Sequence, residues 1–171
     1  STPPYLCSLE TPEPSATFDL SGMLGIYPSH EASVTQIDSI IVQGRFLGDD
    51  DINGVLISEE AAMKLHVTPS ETITLLGHAY SLAGVFSAEK LSALNDVDGV
   101  PLVPQYVRMV VNPRGPPSYL PYYVPSVAVV ILHAEAAKSL PAEVSVSRVS
   151  VKTRSSADIS VLAREAVLVW P

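Results

Sequence analysis

Residues 40–86 are the part of this sequence that most restricts the fold. They read in order as a β-branched strand, a Gly-Arg turn, an acidic loop, a second strand, a short helix and a β-hairpin. A helix is predicted over 59–65, because Ser58, a good capping residue, is followed by two carboxylates at the positive end of the helix dipole. The hairpin prediction rests on Gly77-His78 between the apolar runs 72–76 and 80–86. Strands that alternate with short helices predict an α+β, or mixed α/β, fold class.

The flanking regions predict further elements. Residues 17–24 are predicted to form a short helix, and residues 34–42, rich in isoleucine, a strand. Residues 106–111 predict another strand, and the five prolines within 112–125 predict an irregular loop. The apolar run 127–132 is typical of a central strand.

The C-terminal part continues the same alternation. A helix over 133–140 is predicted to end at Pro141. Residues 144–153 alternate as VSVSRVSVKT, which indicates a strand with one wet face, and a last helix is predicted over 157–166.

Composition bounds the class of protein. The chain has 171 residues, enough for one good core, and 47% of them are apolar. It contains no run of 18 apolar residues, so no membrane span is predicted within it. The net charge is −8 and the ten basic residues are scattered, which argues against nucleic acid as a partner. The sequence starts without Met and shows no leader pattern, so we expect a fragment excised from a longer protein or a mature chain.

An acidic loop offers the sharpest chemical motif. Asp49, Asp51, Asn53, Gly54 and Glu60 have the spacing of a twelve-residue calcium-binding EF-hand loop. Three features oppose that interpretation: the preceding segment is a poor helix former, the ninth position is isoleucine, and such loops normally occur in pairs. The alternative is a solvated acidic turn between two strands, in which no metal is bound.

No pattern of catalytic residues is present in the sequence. Cys7 has no neighbouring histidine, and neither a nucleophile elbow nor a phosphate-binding glycine loop occurs. The four histidines are scattered without metal-ligand spacing. We therefore expect neither enzymatic activity nor a cofactor.

Tyrosines in the proline-rich loop suggest a contact surface. Tyr119, Tyr122 and Tyr123 follow a stretch of prolines, and tyrosine provides contact area at low entropic cost. One interpretation is a protein-recognition surface. The other is that these rings cover an edge of the domain's own sheet, and the sequence leaves both open.

The segment 42–86 resembles the extracytoplasmic domain of MacB/FtsX-type ABC transporter permeases. Residues 42–47 with Asp50-Asp51 are similar to the family's Gly-Arg step, and residues 55–65 to its strand-helix. Residues 71–86 are similar to its hairpin, although Ser70-Glu71 stands where the family usually has Gly-Asp. The Val149–Lys152 strand and the alanine-rich helix after it resemble the return towards the next membrane span.

This resemblance implies a single non-catalytic domain of residues 1–171 on the periplasmic face of a bacterial inner membrane. It would lie between two flanking membrane helices, with a membrane-proximal lobe of residues 1–45 and 144–171 and an inserted outer lobe of 46–143. It would couple ATP hydrolysis by a cytoplasmic ATPase subunit or domain to movement, or to contact with a periplasmic partner or substrate. Gly44 would meet a turn requirement, and Arg45 would be a pairing or packing residue.

Overall fold

A computed structural model describes residues 5–12, 15–96, 99–111 and 115–141. Its strands are β1 (Cys7–Glu10), β2 (Thr17–Leu20), β3 (Gly22–Ile26), β4 (Ile41–Gly44), β5 (Gly54–Ser58), β6 (Thr72–Leu75), β7 (His78–Phe86), β8 (Gln105–Val110), β9 (Ser118–Tyr123) and β10 (Val129–His133). Its α-helices are α1 (Pro28–Thr35), α2 (Glu59–Leu65), α3 (Ala88–Ala93) and α4 (Ala134–Ser139), and 3₁₀ turns span Ile37–Ile40 and Ser126–Ala128. The α+β fold class is thus confirmed.

Eight of the strands in the described part of the chain form one mixed sheet, in the order β2-β1-β6-β7-β5-β10-β3, with β4 added alongside β7. The pairs β5–β7 and β10–β3 are parallel, and the other pairs are antiparallel. Strands β8 and β9 pair only with each other and form a separate two-stranded sheet.

Two hydrophobic clusters cover the two faces of the large sheet. One holds α2 and α4, which pack against Val55, Ile57 and the even-numbered residues of β10. The other holds α3 and the 3₁₀ turn at Ile37–Ile40, which pack against Leu56 and the odd-numbered residues of β10. Because β5 and β10 are buried on both faces, their sequences are continuous apolar runs rather than alternating ones.

The segment at the centre of the sequence analysis folds nearly as predicted. Ser58 caps α2, and its hydroxyl oxygen accepts a hydrogen bond from the Ala61 amide. The hairpin β6–β7 forms, but its turn lies one residue earlier, at Leu76-Gly77. Both residues have positive φ values, 51° and 80°, as a type I′ hairpin turn requires.

Two predictions in the N-terminal part are wrong. Residues 17–24 form β2 and part of β3 rather than a helix, since both strands pair with neighbours in the sheet. Residues 34–42 contain the end of α1, a 3₁₀ turn and the start of β4 rather than one strand. Ile37 and Ile40 point into the same cluster from one turn of 3₁₀ helix, so their bulk serves packing and not strand formation.

The prediction of an irregular loop over 112–125 is also wrong where the structure describes it. Residues 118–123 form β9, paired with β8 over six positions. The two-stranded ribbon has open edges, where proline is tolerated. The predicted strand at 144–153 and helix at 157–166 lie outside the described residues.

The proposed division into two lobes stays a prediction. Strands β1–β4, from residues 1–45, share one sheet with β5–β7 and β10, from residues 46–143. The other half of the membrane-proximal lobe, residues 144–171, lies outside the described residues. Within those residues, no helix has the length and apolar character needed to cross a membrane.

Candidate interaction surface

The two-stranded sheet of β8 and β9, here called the ribbon, is held at its base by the second hydrophobic cluster. Leu102 and Val103 lead into β8, Val124 follows β9, and all three are buried in that cluster. The Val124 amide donates to the Pro104 carbonyl at 2.9 Å, which closes the base. Ten of the twelve residues of β8 and β9 are exposed, and the two exceptions are Tyr106 and Tyr122.

One face of the ribbon is apolar and open to solvent. Residues directly opposite each other in an antiparallel pair lie on the same face, so Val107 joins Pro121, Met109 joins Tyr119, and Tyr123 joins Gln105. The exposed fractions of its large apolar side chains are high: Val107 65%, Met109 54%, Tyr119 66% and Tyr123 36%. We call Val107, Met109, Tyr119, Pro121 and Tyr123 the apolar ribbon face. Exposed apolar side chains grouped in this way make the face a candidate interaction surface.

The opposite face is partly tied to the domain. The rings of Tyr106 and Tyr122 pack with centroids 4.9 Å apart, and Tyr106 lies against the second cluster. Partial burial, followed by the neighbouring Tyr122, raises the pKa of Tyr106. The structure therefore separates the three predicted contact residues, since Tyr119 and Tyr123 lie on the apolar ribbon face and Tyr122 lies on the other.

The stretch of sequence that contains the ribbon differs in charge from the chain as a whole. Residues 99–134 contain no Asp or Glu, whereas the chain carries a net −8. Arg108, in β8 opposite Leu120, is exposed on the face away from Tyr119. The ribbon thus combines an apolar face with a basic residue, Arg108, on its other face, and its own stretch of sequence holds no acidic residue.

Asp51, the second predicted calcium ligand, is engaged by protein groups. Its carboxylate pairs with both terminal nitrogens of Arg45, at 2.9 Å for Nη2, and accepts a hydrogen bond of 2.7 Å from the Gly48 amide. These contacts, led by the Arg45 hydrogen bond, lower the pKa of Asp51. The family resemblance implied that Arg45 is a pairing or packing residue, and this geometry shows that it pairs with Asp51.

The other predicted calcium ligands point to different surroundings. Asp49 accepts a hydrogen bond of 3.0 Å from the Ser29 amide in the first turn of α1, and this bond lowers its pKa. Glu60 is exposed on α2. Among the described residues, no three His, Cys, Asp or Glu side chains come together to hold a metal. The calcium site stays a prediction, and the arrangement does not favour it.

The chain is packed very tightly where β4 meets β7. A Cβ atom on Gly84 would lie 2.4 Å from the Arg45 carbonyl oxygen, and one on Gly44 would lie 2.4 Å from the Ala83 carbonyl oxygen. Gly44 also has a φ of 71°, which disfavours side chains. The Arg45 amide in turn donates to the Ala83 carbonyl at 3.0 Å. The Gly-Arg step therefore fixes the backbone path that brings Arg45 to Asp51.

A polar cluster that the sequence did not predict joins α4 to the end of β3. The Tyr27 hydroxyl donates to Glu135 Oε1 at 2.7 Å and accepts from Lys138 Nζ at 2.8 Å, and Lys138 lies 2.9 Å from Glu135. These contacts lower the pKa of Glu135 and raise that of Lys138. The only sequence signal was the i, i+3 spacing of Glu135 and Lys138. Both side chains are about half exposed, so the cluster serves to position α4 rather than to enclose a ligand.

Comparison with solved structures identifies the type of fold. It is the fold of an extracellular domain from an ABC-type transporter. One similar structure is the extracellular domain of the noncanonic ABC-type transporter YknZ from Gram-positive bacteria, with a TM-score of 0.51 and 17% sequence identity. The match covers 91% of this chain and 64% of that domain, so this chain spans less than two thirds of its length. No protein-family model and no curated protein matches the sequence.

Proposed function

We propose that this chain is a non-catalytic extracytoplasmic domain of an ABC-type permease. The observation that carries the proposal is the shared fold with the YknZ extracellular domain over 91% of the chain. The strand-helix-hairpin of residues 42–86, on which the resemblance to MacB/FtsX-type permeases rests, occupies the middle of that fold. On this proposal the domain lies on the outer face of a bacterial inner membrane, anchored by membrane helices that flank residues 1–171.

In this role the domain would pass on movement rather than perform chemistry. A cytoplasmic ATPase subunit or domain would drive the flanking helices, and the domain would carry that motion to a partner or substrate outside. A sheet packed on both faces suits this task because tightly packed cores resist deformation and transmit strain. The apolar ribbon face would be the surface that meets the partner.

The first test is the topology of the full-length gene product. A reporter tag placed in an exposed part of this domain, such as the turn at Gly77, should be cleaved by protease added to spheroplasts. The same tag on the ATPase should be cleaved only after lysis. Protection of the domain tag in intact spheroplasts would refute an extracytoplasmic location.

The second test concerns coupling and uses the ribbon. Tyr119→Ser together with Tyr123→Ser should lower the activity of the parent transporter, or the co-purification of its partner, without changing the melting temperature of the domain. Their exposure predicts only a small stability effect, within about 0.5 kcal/mol. Tyr5→Ser is the matched control, since Tyr5 is 68% exposed and lies in a different part of the structure. Equal effects of the control and the double variant would refute a role for the ribbon.

A further inference from the structure

We propose that the edge of β8 away from β9 pairs with an extended, acidic segment of a partner protein, which adds a third strand to the ribbon. This inference rests on the proposed function in one respect, namely that a protein partner meets the domain outside the membrane. It goes further by stating which edge is used and which chemistry the partner segment has.

The ribbon has two strands and is packed against the domain only at its base and around Tyr106. A two-stranded sheet is marginal in water, and three strands or a packed face are needed for independent stability. Among residues 5–12, 15–96, 99–111 and 115–141, β8 pairs only with β9, and none of the strands in these ranges lies beside its other edge. Its sequence, QYVRMV, contains no proline or glycine and is rich in residues that favour strands.

The two edges of the ribbon differ in their capacity to accept a strand. Strand β9 contains Pro121, which lacks an amide donor, and it follows Pro116-Pro117. Proline is one of the devices by which sheet edges are blocked. Strand β8 lacks it, and Arg108 is the one charged residue along its length. Strand addition is therefore expected at β8, where main-chain hydrogen bonds would supply affinity and the apolar ribbon face would bind alternate side chains.

The local charge indicates an acidic segment. Residues 99–134 contain no acidic side chain, and Arg108 projects from β8 itself. A second copy of this chain fits less well, because antiparallel pairing of two β8 strands would bring the two Arg108 side chains close together, and like charges across strands destabilise. A lipid surface also fits less well, since it cannot satisfy the unpaired backbone groups of the edge.

The test uses the 171-residue chain, labelled for NMR, and a synthetic ten-residue peptide in which valine alternates with glutamate. One control peptide replaces each glutamate with lysine, and another carries a methyl group on every backbone nitrogen, so that neither of its edges can donate hydrogen bonds. The titrations are run at about 0.15 M salt, where charges more than about 8 Å apart are largely screened. The acidic peptide should shift the amide signals of residues 105–110 and bind at least about tenfold more tightly than the lysine peptide.

Two further results are expected. The N-methylated peptide should not bind, because it cannot form the strand ladder, and Arg108→Glu should remove the preference for the acidic peptide. Signal shifts confined to β2 or β3, or equal binding of the acidic and lysine peptides, would overturn the proposal. So would ribbon signals that respond only to protein concentration, which means self-association, or only to vesicles containing phosphatidylglycerol. These results concern the isolated chain, so they are independent of the topology experiment that decides the proposed function.

Discussion

Ser58 joins the centre of the sheet to α2, and its replacement gives a prediction whose size follows from the structure. Ser58 is fully buried, and its hydroxyl donates to the Val127 carbonyl at 2.8 Å while accepting from the Ala61 amide at 3.2 Å. Ser58→Ala removes both hydrogen bonds at once. The lost helix cap costs about 1 kcal/mol. The carbonyl left without its partner costs about 1–2 kcal/mol, near the lower end of the usual range because Val127 is only half buried.

We therefore expect Ser58→Ala to lower the free energy of unfolding by about 2–3 kcal/mol, the sum of the two losses. Urea denaturation followed by circular dichroism measures this directly, and with a slope of about 2 kcal/mol per molar the midpoint falls by about 1 M or more.

The matched control for this measurement is Ser87→Ala. Ser87 caps α3 through one longer hydrogen bond, 3.4 Å from the Lys90 amide, near the surface. Ser87→Ala should lower the free energy of unfolding by about 0.5–1 kcal/mol, the usual effect of removing an exposed cap. Equal losses in the two variants, or a loss below about 0.5 kcal/mol for Ser58→Ala, would refute the view that the bond to Val127 stabilises the fold.

Three further outcomes are expected. Gly84→Ala should destabilise the domain by about 1–3 kcal/mol, because its Cβ would lie 2.4 Å from the Arg45 carbonyl oxygen, and an unchanged melting temperature would contradict that contact. The pKa of Asp51 is lowered in the folded protein, so its contribution to stability is present above the unfolded pKa of about 3.9 and is lost as the pH falls below it. Asp51→Asn should therefore lose less stability than the unsubstituted protein between about pH 5 and pH 3. If the stability of both proteins fell in parallel over that range, the contribution of Asp51 would be excluded. Millimolar calcium should leave the melting temperature unchanged since Arg45 already binds Asp51, whereas a calcium-dependent rise that Glu60→Ala abolishes would support the EF-hand hypothesis.

The sequence predicted best where the cause of structure is local. The Ser58 cap needs only the amide three residues ahead, and α2 begins and ends where the sequence placed it. β5 and β10 could be recognised as buried strands because a strand that is buried on both faces has a continuous apolar sequence instead of alternating polar and apolar residues. The resemblance of residues 42–86 to permease domains likewise depends on an ordered set of short local patterns.

Prediction failed where pairing partners lie far away in the chain. β3 pairs with β10, more than a hundred residues later, and that partner makes residues 22–26 extended despite two glycines. The isoleucines at 37 and 40 have strand propensity, but burial against the second cluster favours a 3₁₀ turn. Tertiary contacts outweigh propensities of a few tenths of a kcal/mol per residue.

The candidate surface shows the same division. The sequence suggested a tyrosine contact surface after the prolines, but it left open whether the rings form a recognition surface or cover an edge of the domain's own sheet. Only the pairing of β8 with β9 decided that Tyr119 and Tyr123 share a face with Met109, while Tyr122 turns away to pack on Tyr106. The physical reason is the two-residue period of a strand: a side chain's face depends on its register with the opposite strand, which the sequence of one strand does not contain.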